Sequence, residues 1–462
     1  MGAEPVFATS VLVSSRQSDT SPAWCTSVSM LLVDFLALSA VYWIAVIGRR
    51  FITPGDIRFY IEVFPGVIFF VVAFAIHGLY PGVLLHPAEE IRRVFHCVSI
   101  VFLLVLCTTF LWRNAGSYSR SIVMVVWALG APTVLLARKW ARHLLSRYPW
   151  WGVPAVVFGS GTSAKRVLKT LTNRELGVRV TAVVPGDFFS VPCGTAQYAI
   201  LAEPPKSRTA LHHMIQDQCK GYRHILLVPD LHGICSLGII AREIGGEIGI
   251  EVPQRLFHRS AGMTKCALDL IVTSLALIAL SPVFVLIATA IKLTSSGPIF
   301  YGHIRHGRDG KLFKALKFRT MFQNGESILL AHFQKHPEEL ASWQHDHKLK
   351  RDPRVTGVGR WLRRYSLDEL PQLLNVLVGH MSLVGPRPIV SAEIHKYGRG
   401  YDLYSRVRPG VTGLWQVSGR NNTTYPERVA LDEYYVRNWS IWLDAYIVIR
   451  TTKAVLSAEG AY

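Results

Sequence analysis

Residues 30–47 read MLLVDFLALSAVYWIAVI, an apolar run whose only charged side chain is Asp34. A membrane-spanning helix needs about 20 predominantly apolar residues, so this run predicts a transmembrane helix. Three comparable runs follow, at residues 60–76, 94–112 and 121–137. The alternative is four buried helices of a soluble core, but four such runs in succession favour a membrane bundle. We therefore predict four transmembrane helices within residues 27–138, preceded by an N-terminal tail at residues 1–26.

The charges beside these runs predict an orientation. The fourth run is followed by the basic residues Arg138, Lys139, Arg142 and Arg147. The cytoplasmic loops beside membrane helices carry an excess of Lys and Arg. The long region downstream is therefore expected to face the cytoplasm. Asp34 is expected to lie at the membrane interface.

The composition limits the class of protein. The chain has 462 residues, 50% of them hydrophobic, with a mean hydropathy of +0.27. It is too long for one ordinary core and too apolar for a disordered protein. The 50 Lys and Arg against 31 Asp and Glu give a net charge of +19, which suits an anionic lipid surface, a phosphorylated substrate or nucleic acid. The hydropathy favours the first two, and the seven scattered cysteines are typical of reduced thiols.

Residues 150–258 are predicted to form a Rossmann-like α/β domain. The buried strand pattern Val153-Pro-Ala-Val-Val-Phe158 precedes a glycine-containing turn and a helical stretch. Because later apolar runs alternate with helical patterns, a parallel, doubly wound sheet is expected. These later runs lie at residues 178–184, 225–229 and 248–252.

The turn Gly159-Ser-Gly161-Thr-Ser-Ala164 has two interpretations. Gly-x-Gly-x-x-Ala between a strand and a helix is able to hold a pyrophosphate at the helix N-terminus. The second strand of such a site should end in an acidic residue for the ribose, but here it runs into Pro185-Gly186, and Asp187 arrives late. The pattern therefore favours a tight strand-to-helix turn and leaves the nucleotide site open.

A fifth apolar stretch, Leu268 to Ile291, is interrupted by Ser281-Pro282. Proline removes a helical hydrogen bond and clashes with the preceding turn, so a break or sharp bend is expected there. Both flanks of the stretch are basic. We predict a re-entrant helix at about residues 266–292 that enters one leaflet, bends at Pro282 and returns, with Ser281 pairing a freed backbone group.

The last part of the chain combines basic residues with Gly and Pro in short blocks. Examples are Lys317-Phe-Arg-Thr-Met321, Gly385-Pro-Arg-Pro388 and Arg408-Pro-Gly410. Glycine turns expose backbone N–H groups, and arginine binds phosphate oxygens in a bidentate manner, so a diphosphate ligand is favoured. Nucleic acid is not expected, because a recognisable pattern of interleaved aromatic residues is missing.

The stretch Ser366-Leu-Asp-Glu-Leu-Pro-Gln372 brings two carboxylates, Asp368 and Glu369, into this basic region. One interpretation is a helix start, with Ser366 as the N-cap and Glu369 as its capping-box partner. The other is chemical: one carboxylate attacks phosphorus while the other holds a metal ion that neutralises phosphate oxygens.

These blocks, together with Arg408-Pro-Gly-Val-Thr-Gly-Leu-Trp-Gln-Val-Ser-Gly-Arg-Asn421, resemble the bacterial polyprenyl-phosphate hexose-1-phosphate transferases. The resemblance covers roughly residues 265–456 and implies a monotopic, α-rich catalytic domain at residues 263–462. The four spans and the degenerate nucleotide fold are similar to the long members, such as the undecaprenyl-phosphate galactose phosphotransferases. The insertion at residues 331–350 also resembles the galactose branch.

The resemblance implies a reaction and a set of roles. Asp368 is expected to attack the sugar-bearing phosphorus of a UDP-hexose and release UMP, and undecaprenyl phosphate then takes the sugar phosphate from the enzyme. Glu369 is expected to hold Mg²⁺. The expected phosphate-binding residues are Lys317, Arg319, Arg363 and Arg387, and the candidates for the nucleotide end are Gln416 and Arg420. The implied setting is the bacterial inner membrane, with membrane lipid around the protein and a homodimer as the expected assembly.

Two other functions stay open on sequence grounds. One is a membrane-anchored NAD-dependent sugar dehydrogenase or epimerase that uses the Gly159 turn, although a Tyr-x-x-x-Lys pair is missing after Tyr198, Tyr222 and Tyr397. The other is a transporter or scaffold with a basic docking surface. Glucose is the alternative to galactose, and the C-terminal stretch Trp439 to Leu456 is predicted to pack or to lie at the interface rather than to act.

Overall fold

The computed structural model describes residues 24–52, 58–111, 120–184, 196–205, 207, 210–211, 214–219, 221–228, 240–244, 247–251, 256, 259–340, 343, 349, 352–418 and 423–456. The predicted tail at residues 1–26 lies outside this range up to residue 23. The chain divides into two compact units, residues 1–232 and residues 233–462.

The first unit begins with apolar helices. They are α1 (Trp24–Ile52), α2 (Arg58–Val63), α3 (Ile68–Ile76), α4 (Pro87–Leu111) and α5 (Arg120–Leu145). A 3-10 turn at Phe64–Val67, which contains Pro65, separates α2 from α3. The helices pack through apolar side chains such as Leu38, Phe74 and Val98, which are at most 1% exposed.

Among the described residues of this unit, three segments are long and apolar enough to cross a bilayer, judged by length and composition: Trp24–Ile52, Pro87–Thr108 and Ser121–Leu145. The segment predicted as the second span, Tyr60–Ile76, is apolar but shorter, and the 3-10 turn divides it. A further long apolar segment, Ser260–Thr294, lies in the second unit. Apolar helices near the N-terminus agree with the membrane part of the predicted fold.

A buried ion cluster joins α1, α4 and α5. Arg138 donates to both carboxylate oxygens of Asp34, at 2.8 and 2.5 Å, and to Glu90 at 3.0 Å. Because α1 begins at Trp24, Asp34 lies inside the helix, and its side chain is 0% exposed. Asp34 is thus paired inside the helix bundle, and its position at the membrane interface stays a prediction. Arg142 also pairs with Glu90, so two of the four cations that predicted the orientation are neutralised by carboxylates.

A parallel sheet follows α5. Its strands are β1 (Val153–Phe158), β2 (Val178–Val184), β3 (Tyr198–Leu201) and β4 (His224–Leu227), arranged in the order β2-β1-β3-β4. Helix α6 (Thr162–Leu171) follows β1, whose six residues are all buried. The sheet agrees with the predicted Rossmann-like arrangement, and the four-residue β3 is an addition to the predicted strands.

The apolar run at residues 248–252 does not belong to this sheet. It forms β6 (Glu247–Glu251), which pairs in antiparallel fashion with β5 (Ile240–Ile244). The prediction of a fourth parallel strand here is thus wrong. Periodicity identifies a strand but not its partner, and the Gly245-Gly246 pair between the two runs is the sequence signature of a hairpin.

The second unit continues with α7 (Arg259–Thr294) and the antiparallel pair β7 (Phe300–His306) and β8 (Leu312–Phe318). The remaining strands, β9 (Ser382–Val384) and β10 (Gly410–Thr412), pair in parallel. The remaining helices are α8 (Gly325–Lys335), α9 (Gly357–Arg364), α10 (Gln372–Leu377), α11 (Ile394–Tyr397), α12 (Gly400–Ser405), α13 (Leu414–Ser418), α14 (Tyr425–Asn438) and α15 (Ile441–Leu456).

Pro282 does not end α7, which continues on both sides of it. Proline has no N–H, so the carbonyl of Ile278, four residues earlier, lacks its usual helical donor. The hydroxyl of Ser281 donates to this carbonyl at 2.8 Å. Ser281 thus pairs the freed backbone group, as the sequence predicts, and the helix passes through the proline without a gap.

Candidate active site

Elements of the second unit surround a cavity of about 1670 Å³. The strands β7 and β8 contribute one wall, and the turn Leu367–Glu369 and the residues after β9 contribute others. Part of the lining is apolar and includes Leu280 and Val283 of α7. The cavity therefore joins a charged region to the apolar helix, an arrangement that suits a ligand with both a polar and an apolar part.

The two predicted catalytic carboxylates lie together in this cavity. Asp368 and Glu369 belong to a single 3-10 turn, Leu367–Glu369, and not to an α-helix. Nζ of Lys317 lies 2.7 Å from Glu369 Oε1 and 3.6 Å from Asp368 Oδ2. The three side chains are 27%, 13% and 29% exposed for lysine, aspartate and glutamate respectively. The partly buried ammonium group of Lys317 thus lies near both adjacent carboxylates.

Ser366 shapes the turn that presents the pair. Its φ of 54° lies in the left-handed region, which is strained for a residue with a side chain. Its hydroxyl makes no cap hydrogen bond, so the capping-box interpretation of Ser366 and Glu369 is wrong. A strained residue beside charged groups in a cavity is typical of a functional site.

The environment divides the two carboxyls electrostatically. Burial raises the pKa of Asp368, and the charge of Glu369 adds to the rise while Lys317 and Arg363 oppose it. Burial acts on Glu369 in the same way, but Lys317, Arg387 and Arg305 outweigh it and hold the pKa of this carboxyl below its ordinary value. Burial thus prevails at Asp368, whereas the surrounding cations prevail at Glu369. Adjacent carboxyls in such different electrostatic surroundings are suited to different chemical tasks.

Two of the predicted phosphate-binding arginines line the same cavity. Arg363 lies in α9, and its Nε donates to Thr320 Oγ1 at 3.0 Å. Arg387 is exposed, and its guanidinium lies over the ring of Trp415 at 5.6 Å. Both guanidinium groups retain donors beyond these contacts, since each carries five N–H groups.

Arg319 also lines the cavity but is held more tightly. Its terminal nitrogens donate to the carbonyls of Ser295 and Ser296, at 2.8 and 2.6 Å, and to the Ser295 hydroxyl at 2.8 Å. The residue is 8% exposed. Arg319 therefore fixes the chain just after α7, and its capacity to bind phosphate is smaller than that of Arg363 or Arg387.

The predicted nucleotide-end residues have different outcomes. Gln416 lies in α13 and lines the cavity. Arg420 lies outside the described residues.

The sequence prediction omitted one face of β7. Tyr301, His303 and Arg305 line the cavity with Lys317, and Tyr301 pairs with Lys317 across the hairpin. The signal was present in the alternation: residues at i, i+2 and i+4 of a strand share a face. Arg305 thus adds a cation near Glu369, whose pKa it helps to lower.

The C-terminal helix α15 also reaches the cavity. It packs through Leu443 and Ile447, both 0% exposed, as predicted. Val448, Thr451 and Thr452 in addition line the cavity, and Thr451 shares a hydrogen bond of 2.7 Å with Thr412 of β10. No sequence motif indicated that α15 contributes side chains to this cavity.

Metal ligands are sparse around this cavity. Within the described ranges, no group of three or more His, Cys, Asp or Glu side chains could hold a metal ion. Mg²⁺, however, is commonly held by one or two carboxylates with water and substrate phosphates. The adjacent oxygens of Asp368 and Glu369 are of the right chemical type for such a site.

Comparison with known proteins agrees with this geometry. The profile of the family described as bacterial sugar transferase matches residues 260–458, and that of a family described as CoA-binding domain matches residues 75–201. Undecaprenyl-phosphate galactose phosphotransferase of Salmonella typhimurium is 34% identical over 404 residues, which cover 81% of this chain and 82% of the relative.

Two other relatives match smaller parts of the chain. UDP-glucose:undecaprenyl-phosphate glucose-1-phosphate transferase of Klebsiella pneumoniae is 35% identical over 279 residues, 58% of this chain and 56% of the relative. Exopolysaccharide production protein ExoY of Sinorhizobium fredii is 50% identical over 201 residues, 44% of this chain and 89% of the relative. The family match includes every residue of the cavity described above, and the chain belongs to the bacterial sugar transferase family.

Proposed function

We propose that this protein transfers a hexose 1-phosphate, namely galactose 1-phosphate, from a UDP-hexose to undecaprenyl phosphate and releases UMP. Such a step initiates the synthesis of an O-antigen, a capsule or an exopolysaccharide. The observation that carries the proposal is the pair Asp368 and Glu369 facing Lys317, with Arg363 and Arg387 in the same cavity. Two carboxylates amid so much positive charge suit covalent chemistry on a diphosphate.

Asp368 is the proposed nucleophile. One of its oxygens attacks the phosphorus that bears the hexose, a new O–P bond forms, and the P–O bond to UMP breaks. An oxygen of undecaprenyl phosphate then attacks the same phosphorus, the bond to Asp368 breaks, and the carboxylate is regenerated. Burial raises the pKa of Asp368 above its ordinary value, and a carboxylate becomes a stronger nucleophile as its pKa rises.

Glu369 is the proposed ligand of Mg²⁺. The positive charges around it keep its pKa low and the carboxylate ionised, which metal binding requires. When bound, the ion supplies positive charge to phosphate oxygens. Lys317 contacts both carboxylates and also holds them in place before substrate arrives.

The remaining cations are proposed to bind the two substrates. Lys317, Arg363 and Arg387 face the cavity and offer donors to phosphate oxygens. Arg319 supports them by fixing the residues after α7. Gln416 and Arg420 remain the candidates for the nucleotide end.

Galactose is proposed on the extent of the similarity. The undecaprenyl-phosphate galactose phosphotransferase of Salmonella typhimurium aligns with 81% of this chain, whereas the glucose-1-phosphate transferase of Klebsiella pneumoniae aligns with 58%. A panel of UDP-galactose, UDP-glucose and their N-acetylated analogues tests this choice. Faster UMP release with UDP-glucose would reassign the sugar and leave the reaction class intact.

The membrane path of α7 is proposed to be re-entrant. Near its start, Lys265 pairs with Asp444 at 2.8 Å, and Asp269 accepts from Ser382 at 2.6 Å. Near its end, Ile287 and Ile291 pack with Phe318 and Leu362. Both ends therefore contact the same folded unit, which supports a helix that enters and leaves the bilayer on one side.

The topology can be tested by labelling. Cys266 and a cysteine introduced by Leu293→Cys should react with an impermeant thiol reagent from the same side of an oriented vesicle. Labelling from opposite sides would contradict the re-entrant path. We also propose four N-terminal spans in the inner membrane, with the catalytic unit on the cytoplasmic face. Labelling of cysteines introduced by Gly48→Cys and Ser146→Cys in the same vesicles tests this arrangement.

The reaction itself is tested with purified protein, labelled UDP-galactose, Mg²⁺ and undecaprenyl phosphate. Wild type should release UMP and yield one labelled peptide containing Asp368 when the lipid is withheld. Asp368→Asn should abolish both signals, and Glu369→Gln should be nearly as severe. Asp309→Asn is the matched control, because Asp309 is 63% exposed at the tip of the β7–β8 hairpin. Near-normal turnover by Asp368→Asn would end the covalent mechanism.

A further inference from the structure

The glycine turn of the parallel sheet lies where a ligand of this fold would be expected. Gly159 and Gly161 connect β1 to α6, and the sheet order β2-β1-β3-β4 changes direction between β1 and β3. In open α/β sheets, ligands bind outside the carboxyl ends of the strands at such a switch point. The family description of a CoA-binding domain, matched at residues 75–201, implies a phosphate-containing coenzyme there.

A side chain of the protein lies at this place. Glu203 follows β3 by two residues, and its Oε2 accepts a hydrogen bond from the backbone N–H of Gly161 at 2.9 Å. The N–H groups at a helix N-terminus are the donors that phosphate oxygens use in such sites. The carboxylate therefore makes the contact that a phosphate oxygen of a coenzyme would make.

The glycines give room to this carboxylate. A Cβ on Gly161 would overlap the carboxyl group of Glu203, and a Cβ on Gly159 would meet the same side chain at 3.4 Å. Glycine at these positions is usually explained by the close approach of a pyrophosphate. At Gly161 the close approach of Glu203 accounts for the glycine without any ligand, and at Gly159 the positive φ of 131° does so.

We propose that the carboxylate of Glu203 occupies the anion position of this domain and excludes phosphate ligands from it. A phosphate group would have to displace the carboxylate of Glu203 from its hydrogen bond with the N–H of Gly161. It would then lie close to the negative charge of Glu203. The coenzyme implied by the family description does not fit this arrangement. In this domain the carboxylate of Glu203 thus takes the position that a phosphate takes in nucleotide-binding folds. The proposed transfer reaction does not use this position.

Binding of inorganic pyrophosphate and of coenzyme A to the full-length protein in lipid nanodiscs tests the proposal. Because both probes carry phosphates that the cationic cavity around Lys317 can also bind, the number of sites is counted by titration calorimetry. Wild type should show no site beyond that cavity below about 1 mM, which corresponds to about −4 kcal/mol. Glu203→Ala should gain an additional pyrophosphate site at least tenfold tighter than this limit. Glu203→Gln removes the charge and keeps the shape, so it should give an intermediate gain and serves if the alanine variant fails to fold.

Glu175→Gln is the control, because it neutralises another half-exposed carboxylate of the same unit, paired with His143, and should leave binding unchanged. Two results would overturn the proposal. One is tight binding of coenzyme A by wild type, with Glu203 intact, at a site other than the cationic cavity around Lys317. The other is the absence of the additional pyrophosphate site in both folded Glu203 variants, which would show that the turn has no anion affinity for Glu203 to block.

Discussion

Replacing Lys317 by Met should shift the pH dependence of the reaction in a direction that the geometry determines. Its Nζ lies 2.7 Å from Glu369 and 3.6 Å from Asp368, and its charge lowers the pKa of both carboxyls. A carboxylate attacks only when ionised, so the acidic limb of kcat/KM reports its pKa in the free enzyme. Removing Lys317 removes a charge that lowers this pKa, and the limb should therefore move to higher pH.

The magnitude follows from the distance and the exposure. Opposite unit charges about 4 Å apart attract by about 1 kcal/mol in water and about 4 kcal/mol at an effective dielectric constant of 20. The side chains of Lys317 and Asp368 are 27% and 13% exposed, so water screens the pair and the value lies toward the lower limit. About 1–2 kcal/mol corresponds to a shift of about one pKa unit.

The assay is UMP release measured across the acidic range under single-turnover conditions. Lys317→Arg restores the charge and should return the limb toward its wild-type position even if kcat stays low. Lys314→Met is the matched control, because Lys314 is exposed on the same strand. A Lys317→Met enzyme whose acidic limb stays in place, or moves to lower pH, would refute the reasoning.

Three further predictions concern other parts of the chain. Asp432 is 2% exposed, and burial raises its pKa from 3.8 to about 8 although it accepts a hydrogen bond from Tyr397. Its contribution to the free energy of unfolding should therefore fall as the pH rises between these two values. In urea unfolding at several pH values, Asp432→Asn should gain about 1.4 kcal/mol per pH unit relative to wild type in this range. Arg138→Met should destabilise the protein by about 3–5 kcal/mol, because it strands buried carboxylates, and Asp34→Asn in the same chain should recover part of the loss in melting temperature; an unchanged melting temperature contradicts this. Ser366→Gly should keep UMP release and relieve about 1 kcal/mol of backbone strain, whereas Ser366→Val should lower both kcat and stability, and equal behaviour of the two variants would dismiss the strain.

The sequence predicted the features that depend on a short local pattern of residues. The apolar runs predicted the helices, and the alternation of patterns predicted the parallel sheet. Asp368, Glu369 and Lys317 carry motifs, and the structure brings all three into one cavity. Their assigned roles stay predictions. Asp368 and Glu369 are neighbours in the chain, whereas the proximity of Lys317, which lies 52 positions before Glu369, was expected from the family resemblance alone.

Features that depend on distant parts of the chain were not predictable in this way. Arg138 and Asp34 are separated by 104 positions, and nothing near either residue indicates the other. Arg319 has the motif of a phosphate ligand, yet the carbonyls of Ser295 and Ser296 take up its terminal nitrogens. A side chain's neighbours in the fold decide how much of its binding capacity remains, and a local pattern contains no information about them.

Gly161 shows this difference most directly. Its place between a strand and a helix indicates that some group approaches the backbone closely, and the motif by itself suggests a pyrophosphate. In the fold the approaching group is the carboxylate of Glu203, which lies 42 positions downstream. A glycine in a sequence thus records the need for space but not the identity of the group that fills it. The chemistry proposed for Asp368 differs in this respect, because a carboxylate that is to react must itself be present in the motif, whatever surrounds it.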